Sequence, residues 1–509
     1  MKRGLQRFTA PGVLLVAAVL ALSSGVLIAR AANTQKHPAA AKLGPVLPLG
    51  HAGRWITDAR GRVVILHGTN MVYKLAPYYP SAIGFGPSDA KFLRSIGFNA
   101  VRVGVIWKGL EPKPGVFNAK YVAQIKATVK MLARYGIVSL LDFHQDMLND
   151  LFQGEGFPDW AIEDGSLPNP KLGFSNNYLA NPALEHALDQ FFGNAPGPDG
   201  VRLQQYYAGA WADVAKAFKS VQSVIGYEIM NEPFPGTLWE QCVVVSGCPL
   251  FDAELLALYK RVDVAIRKID KRTLVWYEPN VIFNDGPNTA LGPLNDPNAG
   301  FAFHDYCLAE PANSSSATNP VCDAEDALVF ANAVHHVTQT HDALLETEFG
   351  ATNDVPELED LVSRADANRV PWLEWAFCGC NDPTTQGPGS VQAMVLNPAK
   401  PATGTNVEWN TVRALTEPYP QVISGIPLAY GYNHATQRFT FSYATTKAAG
   451  GRFGADAITQ VATPSLDYPH GYTVHASGAK VVSRKDAAVL QLAANRGVQT
   501  ISLTVTPIR

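Results

Sequence analysis

Short apolar runs alternate with amphipathic stretches from about residue 50 to about residue 400. A continuous apolar run indicates a strand covered on both faces, as in a parallel sheet. Eight such runs occur, at Val63–His67, Ala100–Gly104, Val138–His144, Val224–Asn231, Leu274–Glu278, Phe301–Tyr306, Ala343–Glu348 and Val370–Trp375. Helical patterns lie between several of them, at Tyr121–Tyr135, Gln204–Phe218, Glu254–Ile269 and Ala324–Thr340. Eight strands with crossover helices predict an α/β fold of the (β/α)8, or TIM barrel, type. A doubly wound open sheet is the alternative, but no Gly-rich dinucleotide fingerprint follows the first run.

The pattern changes beyond Lys400, where short alternating runs replace the helical ones. Examples are Arg438–Ala444, Gly471–Ala476 and Thr500–Thr506. Alternation with a period of two predicts half-buried strands, so a small C-terminal antiparallel β-sandwich is expected. The predicted division of the chain is a signal peptide at 1–31, a Pro/Ala-rich leader at 32–49, a catalytic barrel at 50–400 and a sandwich at 401–509.

The N-terminus has the features of a secretory signal. Lys2, Arg3 and Arg7 precede an uncharged run from Thr9 to Ala29, and Ala31 completes an A-x-A-like cleavage site. These features predict export and cleavage after residue 31. An uncleaved N-terminal anchor is the alternative, because the apolar run is near the length that spans a bilayer.

Composition narrows the class of protein. The 509 residues are 47% hydrophobic and 17% charged, with a net charge of -3, so an all-disordered chain is excluded and a nucleic-acid partner is not favoured. The six cysteines form three couples, at Cys242 and Cys248, Cys307 and Cys322, and Cys378 and Cys380. Local disulfides within each couple fit export better than a zinc site, because the couples are far apart in the chain. No metal or other cofactor is expected.

Polar and aromatic side chains follow nearly every predicted barrel strand. The carboxyl ends of the strands are where such barrels place their chemistry. The residues in question are His67, Asn70, Arg102, Asp142, His144, Asp146, Asn231, Glu232, His304, Tyr306, Glu348 and Trp375. One such residue is ordinary as a helix cap or a satisfied core group, but their recurrence at one strand end after another indicates a site.

Two carboxylates stand out among these residues. Glu232 follows the fourth run and Glu348 ends the seventh, and strands four and seven face each other across a barrel mouth. A facing pair at about 5 to 5.5 Å supports retaining glycoside hydrolysis, in which one group is the acid and the other the nucleophile. Taken alone, Glu232 is equally compatible with the first turn of a helix, since Asn231 and Pro233 flank it.

The segment Asn231-Glu232-Pro233, with Glu348-Phe-Gly further on, resembles the family 5 glycoside hydrolases of clan A. The recurring site residues of that family match eight positions here, at Arg102, His144, Asn231, Glu232, His304, Tyr306, Glu348 and Trp375. The resemblance implies that Glu232 is the acid/base and Glu348 the nucleophile. It also implies that Asn231 holds the sugar 2-hydroxyl.

The same resemblance assigns supporting roles to the remaining side chains. Arg102 and Tyr306 would orient the nucleophile, and His304 would tune the acid. Trp375 would offer its aromatic face to the sugar, although Trp372 is a competing candidate three residues earlier.

A narrower resemblance is to the endoglycoceramidases of this family, which release an intact glycan from the ceramide of a glycosphingolipid. The segments that carry it are Leu66–Lys74, Asp142–Asp146, Gly156–Ala161, Tyr178–Leu184 and Pro418–Pro420. Lys74 and Asp146 match positions that contact the reducing-end sugar in that subgroup; a surface ion pair is the alternative. A β-glucan, a β-mannan or a simple glucosylated lipid is the alternative substrate, and a non-catalytic carbohydrate-binding protein is the minor one.

A lipid substrate requires an apolar surface beside the sugar site. The segment Met147–Ala161 contains Leu148, Leu151, Phe152, Phe157 and Trp160. We expect it to line a ceramide groove or to contact a membrane or micelle surface. The alternative is a loop that packs its own small core.

Overall fold

The computed structural model describes residues 42–307, 320–384 and 392–509; the predicted signal peptide and most of the leader lie outside these ranges. Within them the strands are β1 Gly50–Ala52, β2 Trp55–Thr57, β3 Val63–Val64, β4 His67–Met71, β5 Ala100–Val105, β6 Val138–Phe143, β7 Val224–Glu228, β8 Leu274–Tyr277, β9 Ala299–Asp305, β10 Ala343–Phe349, β11 Trp372–Glu374, β12 Tyr419–Ile423, β13 Ile426–Asn433, β14 Arg438–Ala444, β15 Ile458–Ala462, β16 Tyr472–Ser477, β17 Ala479–Val481, β18 Val489–Ala494 and β19 Thr500–Pro507.

The α-helices of the same residues lie mainly between the barrel strands. They are α1 Pro87–Ser95, α2 Trp107–Leu110, α3 Ala119–Arg134, α4 Asn176–Ala180, α5 Pro182–Phe192, α6 Leu203–Phe218, α7 Trp239–Cys242, α8 Pro249–Arg267, α9 Pro320–Thr340, α10 Val355–Asn368 and α11 Trp409–Leu415. No helix within the described ranges is long and apolar enough to span a bilayer.

The predicted barrel is confirmed. Strands β4 to β11 form a closed sheet of eight parallel strands in chain order, and β11 pairs with β4 to close it. The interior near the amino ends of the strands is filled by apolar side chains around Trp276, which is fully buried. Gly226 and Gly300 make room for this indole, because a Cβ atom at either position would collide with its ring. The packed base leaves the carboxyl ends of the strands as the open face.

The predicted first barrel strand, Val63–His67, is divided in the structure. Val63 and Val64 pair antiparallel with Ile423 and Val422, whereas the barrel strand β4 begins at His67. The run is apolar throughout because successive side chains face two different cores. Val63 and Ile65 pack into the sandwich, and Val64 packs against the base of the barrel. Residues 50–64 therefore lie in the C-terminal sheet and not in the barrel.

The predicted C-terminal sandwich is also confirmed. A seven-stranded sheet has the order β1-β2-β3-β12-β15-β18-β17, and a four-stranded sheet has the order β13-β14-β19-β16. Apolar side chains from both sheets form one core between them. One helix, α11, occurs beyond residue 400, where none was expected, and it packs against the barrel helix α10.

Three disulfides join the cysteines within each predicted couple, so that pairing is confirmed. They are Cys242–Cys248, Cys307–Cys322 and Cys378–Cys380. The first closes a short loop on the segment that follows β7.

Candidate active site

Glu232 and Glu348 face each other at the carboxyl ends of the barrel strands. Glu348 lies in β10, and Glu232 lies four residues beyond the end of β7. One carboxylate oxygen of each, together with a ring nitrogen of His304, forms a group whose atoms lie within 4.8 Å of one another. Such a close approach fits the short carboxyl separation of a retaining pair, about 5 to 5.5 Å, better than the wider one of about 6.5 to 9.5 Å in inverting enzymes.

The backbone of Glu232 is held in an unusual conformation. Its φ is 41°, in the left-handed region that side-chain-bearing residues rarely adopt. Gln145 donates from Nε2 to the carbonyl oxygens of Asn231 and Glu232, at 2.8 and 3.0 Å. The Glu232 N–H donates to Glu278 Oε2 at 3.1 Å. These contacts fix the direction in which the carboxyl group leaves the chain.

The surroundings of the Glu232 carboxyl group favour its protonated form. Burial raises its pKa to about 7, with a further contribution from the negative charge of Asp146. Oε1 lies 2.8 Å from Nδ1 of His304 and accepts a hydrogen bond from Asn284 Nδ2 at 3.0 Å. Burial lowers the pKa of His304 to about 4, so this imidazole is neutral at pH 7 and does not force Glu232 to ionise.

Glu348 has a different set of partners. It accepts hydrogen bonds from Arg102 Nη1 and, at 3.1 Å, from the Tyr306 hydroxyl. Burial raises its pKa above the ordinary value, and the charge of Arg102 is among the influences that oppose this shift. A guanidinium and a phenol that bind this carboxylate orient it for attack and stabilise its anionic form against the effect of burial.

Arg102 organises the floor of the site. Its guanidinium is fully buried and also contacts Asp142 at 3.2 Å, Glu278 at 3.2 Å, and Glu228. Burial and the nearby charge of Glu228 raise the pKa of Glu278 well above its ordinary value. This shift favours the neutral form of Glu278 and so limits the excess of negative charge around Arg102.

The side chains of Asn231 and His144 are both fixed by partners in this floor. Asn231 accepts from Arg102 Nη2 at 2.9 Å and donates one amide hydrogen to the Gln145 carbonyl oxygen at 3.1 Å. Its second amide hydrogen is the one that a sugar hydroxyl can accept. His144 lies 2.8 Å from Asp142. Burial lowers its pKa, but the charge of Asp142 and the hydrogen bonds to Asp142 and Asp146 together outweigh that effect and raise the pKa to about 10, so His144 is a cation.

The two tryptophan candidates occupy different places. Trp375 follows β11 at the carboxyl end, is 5% exposed, and stacks on His144 with ring centroids 5.2 Å apart. Trp372 is fully buried and stacks on His67 at 4.2 Å, in the core. Of the two, Trp375 is therefore the one at the site.

Lys74 and Asp146 form a buried cluster beside Trp375, not a surface ion pair. Lys74 Nζ lies 2.5 Å from Asp146, 3.0 Å from Asp382 and 3.7 Å from Glu155, and 4.7 Å from the centre of the Trp375 ring. A cavity of about 400 Å³, lined in part by Lys74 and Glu155, opens next to the cluster. These charged groups are positioned to bind sugar hydroxyls on one side of the carboxylate pair.

The expectation for Met147–Ala161 is largely wrong. Leu148, Phe152 and Phe157 are buried, and Phe157 packs against Trp107 at 4.9 Å. Trp160 also packs against Trp107 and donates from Nε1 to a backbone carbonyl oxygen. Only Leu151 among the five apolar side chains singled out there is exposed. The apolar side chains of the segment pack into the main core between the barrel strands and their helices, and not into a lipid-facing groove or a small core of their own.

Sequence reasoning did not single out Gln145, Glu278 or Asn284 as site residues. Gln145 lies inside the segment Asp142–Asp146, and Glu278 ends a predicted strand. Their positions in the sequence could therefore have identified both as site residues. Asn284 lies in a short 3-10 helix, Val281–Asp285, in the connection after β8; the sequence there has no clear pattern, and only the fold brings this residue to Glu232.

Three groups of donors in the site are close enough to hold a cation. They are His144 with Asp146 and Glu155, Glu228 with Glu278 and His304, and Glu232 with His304 and Glu348. A cation on the last group would occupy the space that a glycosyl carbon needs between the two carboxylates. We therefore assign no metal to the reaction.

Comparisons with known proteins agree with this geometry. The family model Cellulase (glycosyl hydrolase family 5) matches residues 58–381, and the glycoside hydrolase family 5 C-terminal domain matches residues 418–505. The chain is 30% identical to endoglycoceramidase I of Rhodococcus hoagii over 464 residues, covering 89% of this chain and 87% of that one. It is 27% identical to an endoglycoceramidase of Cyanea nozakii, covering 82% and 84% of the two chains.

Solved structures give the same result. The fold is similar to that of endo-glycoceramidase II from Rhodococcus sp. as a lactosyl-enzyme intermediate, with 25% identity and a TM-score of 0.71. The match covers 89% of this chain and 99% of that one.

Proposed function

The chain belongs to glycoside hydrolase family 5, and from this premise we propose that it cleaves the bond between the glycan and the ceramide of glycosphingolipids. The observation that carries the proposal is the Glu232–Glu348 pair, with oxygens within 4.8 Å, in a fold shared with an enzyme trapped as a lactosyl intermediate. The 30% identity to an endoglycoceramidase over nearly the whole chain supports this choice of substrate.

The first step transfers the glycan to the protein. Glu348 Oε attacks the anomeric carbon while Glu232 gives its proton to the departing ceramide oxygen, so the C–O bond breaks and a glycosyl ester forms. Glu232 begins protonated because its pKa is about 7. Arg102 and Tyr306 hold the nucleophile in place, and Asn231 binds the 2-hydroxyl.

The second step releases the glycan with retained configuration. Esterification removes the negative charge of Glu348, which lies next to Glu232, so the pKa of Glu232 falls and this group takes a proton from water. The resulting hydroxide attacks the same face, and Glu348 leaves as a carboxylate.

The test incubates the purified protein with a lactosyl or ganglio-type glycosphingolipid in detergent and resolves the products by mass. An intact oligosaccharide plus ceramide, abolished in Glu232→Gln and Glu348→Gln, is the expected result. Release of glucose from glucosylceramide alone would replace the proposal by a simple glucosidase activity. Cleavage of a β-glucan or β-mannan without any glycolipid cleavage would refute the lipid substrate.

The two carboxylate roles are separable with a dinitrophenyl glycoside and azide. This leaving group needs no acid, so Glu232→Ala is expected to form the intermediate and to yield a β-glycosyl azide. Glu348→Gly is expected to yield an α-glycosyl azide, since azide then enters from the face that the nucleophile vacates. Exchanged products would reverse the assignment.

We also propose that the protein is exported. The charged and apolar pattern of residues 1–31 supports this, as do three disulfides of a kind that persists in oxidising compartments. The mass of the protein recovered from the culture medium tests it. A chain beginning at Ala32 is expected, and a chain retained in the membrane with Met1 intact would favour the anchor.

A further inference from the structure

A short valine loop projects from the open face of the barrel. It consists of residues 243–247, Val-Val-Val-Ser-Gly, between Cys242 and Cys248. Val243, Val244 and Val245 are 55%, 47% and 85% exposed. Three successive aliphatic side chains in water are unfavourable unless a partner covers them, since each forgoes the free energy of burial.

The loop is fixed in its exposed position. The Cys242–Cys248 disulfide closes its base, and both sulfur-bearing residues are buried. The Gly247 N–H donates to the Val244 carbonyl oxygen at 2.9 Å, and the Asn288 N–H donates to that of Val245 at 3.0 Å. The disulfide and these two backbone hydrogen bonds hold the loop while its three valine side chains stay exposed, which is the arrangement that an apolar surface can receive.

The valine loop lies on the leaving-group side of the catalytic pair. It belongs to the segment that follows Glu232, and it is tied at Asn288 to the loop whose Asn284 contacts the Glu232 carboxyl group. The general acid must reach the oxygen of the leaving group. The aglycone therefore leaves the cleft on the side of Glu232, toward this loop.

The chemistry of the loop matches a lipid surface. Residues 243–247 carry no charge, so entering an interface removes no ionic group from water. Leu250, at the start of α8, is also exposed and extends the apolar area.

We propose that the valine loop inserts into the surface of the lipid aggregate that carries the substrate, next to the point where the ceramide leaves the membrane. This inference rests on the proposed glycolipid substrate. It replaces the buried segment Met147–Ala161 as the place of contact. By anchoring the protein with Glu232 facing the lipid, the loop would keep the active site next to a substrate that is scarce in free solution.

The test compares two triple variants of the full chain. The loop variant is Val243→Ser with Val244→Ser and Val245→Ser. The control is Val264→Ser with Leu428→Ser and Val481→Ser, whose side chains are 54%, 47% and 43% exposed on α8, β13 and β17. Both variants remove similar exposed apolar area, so a general effect on solubility or stability affects both.

Binding is measured first, by flotation with phosphatidylcholine vesicles that contain no glycolipid. The loop variant is expected to bind about tenfold more weakly than the wild type, and the control within about twofold. Cleavage of a glycosphingolipid in the same vesicles should fall in parallel. Turnover of a water-soluble aryl lactoside should remain within about twofold in both variants.

The two proposals fail differently. If wild type and loop variant bind vesicles equally, the inference is refuted, even if glycolipid cleavage in detergent proceeds and the proposed function stands. If vesicle binding depends on the loop but no glycolipid is cleaved in any form, the contact is supported and the proposed substrate is refuted. Equal losses of aryl lactoside turnover and vesicle cleavage in the loop variant would also refute the inference.

Discussion

Gln145 supports the acid without touching the reacting atoms. Its Nε2 donates to the carbonyl oxygens of Asn231 and Glu232, and its Oε1 accepts from the Leu148 N–H at 3.0 Å. The side chain is buried, so no water replaces these bonds when it is removed. We predict that Gln145→Leu, which keeps the volume but loses all three bonds, leaves Glu232 free to relax from its φ of 41°.

The size of the effect follows from these contacts. A hydrogen bond within a protein contributes about 1 kcal/mol net, so loss of three costs about 3 kcal/mol of folding stability. The catalytic effect is larger where the acid matters. General acid catalysis contributes about 10² to 10⁴-fold, and a displaced carboxyl group loses most of it. We expect kcat/KM to fall about a hundredfold for a glycoside with an alkyl leaving group, and less than about fivefold for a dinitrophenyl glycoside.

Gln204 provides a matched control. It is equally buried, and its Nε2 donates to the consecutive carbonyl oxygens of Phe191 and Phe192 at 2.9 and 3.0 Å, away from the site. Gln204→Leu should lose similar stability to urea while both kcat/KM values stay within about twofold. Equal losses of Gln145→Leu on the two glycosides would refute the argument, since they would show that the acid had not moved. So would a comparable leaving-group dependence in Gln204→Leu.

Three further outcomes are expected. The kcat/KM falls as pH rises through about 7, because Glu232 must carry its proton. Asp146→Asn shifts this fall to lower pH, because it removes a charge that raises the pKa of Glu232. A pH profile with the opposite shift would contradict this prediction. Lys74→Met, which leaves buried carboxylates without their cation, loses about 3 to 5 kcal/mol of stability by urea unfolding, with a larger loss at pH 8 than at pH 5. Trp375→Ala lowers kcat/KM about tenfold, because the ring no longer stacks on the sugar. Trp372→Phe, in the core, instead lowers thermal stability and leaves the kcat/KM of the folded enzyme within about twofold.

The sequence predicted the barrel because each parallel strand is covered on both faces and so appears as an apolar run. For the same reason Val63–His67 was wrongly predicted to be a single barrel strand, since an apolar run does not reveal which sheet it joins. The sequence was misleading again at Phe152 and Phe157, where composition indicated an apolar surface and packing buried the rings.

The site residues likewise fall into those that the sequence predicts and those that only the fold reveals. Glu232 and Glu348 were found because strand order alone brings their ends across the mouth of the barrel. Asn284 was not, because its place depends on the path of an irregular loop, which no periodicity records. The raised pKa of Glu278 likewise results from its burial and from the carboxylates around Arg102, which only the three-dimensional structure shows.

The shared seven-stranded sheet has a consequence for how the chain is made. β3 pairs with β2 on one side and, on the other, with β12, which lies roughly 360 residues later, so the ribosome synthesises β3 long before this second partner. Until β12 is synthesised, Val63 and Ile65 lack the apolar core in which they pack, and the unpaired apolar strand edge can associate with other chains. A chain truncated near residue 400 would keep this apolar edge exposed, so we expect the barrel to be produced in folded form only together with its sandwich. The sheet formed beyond residue 418 is thus what completes the fold of residues 50–64.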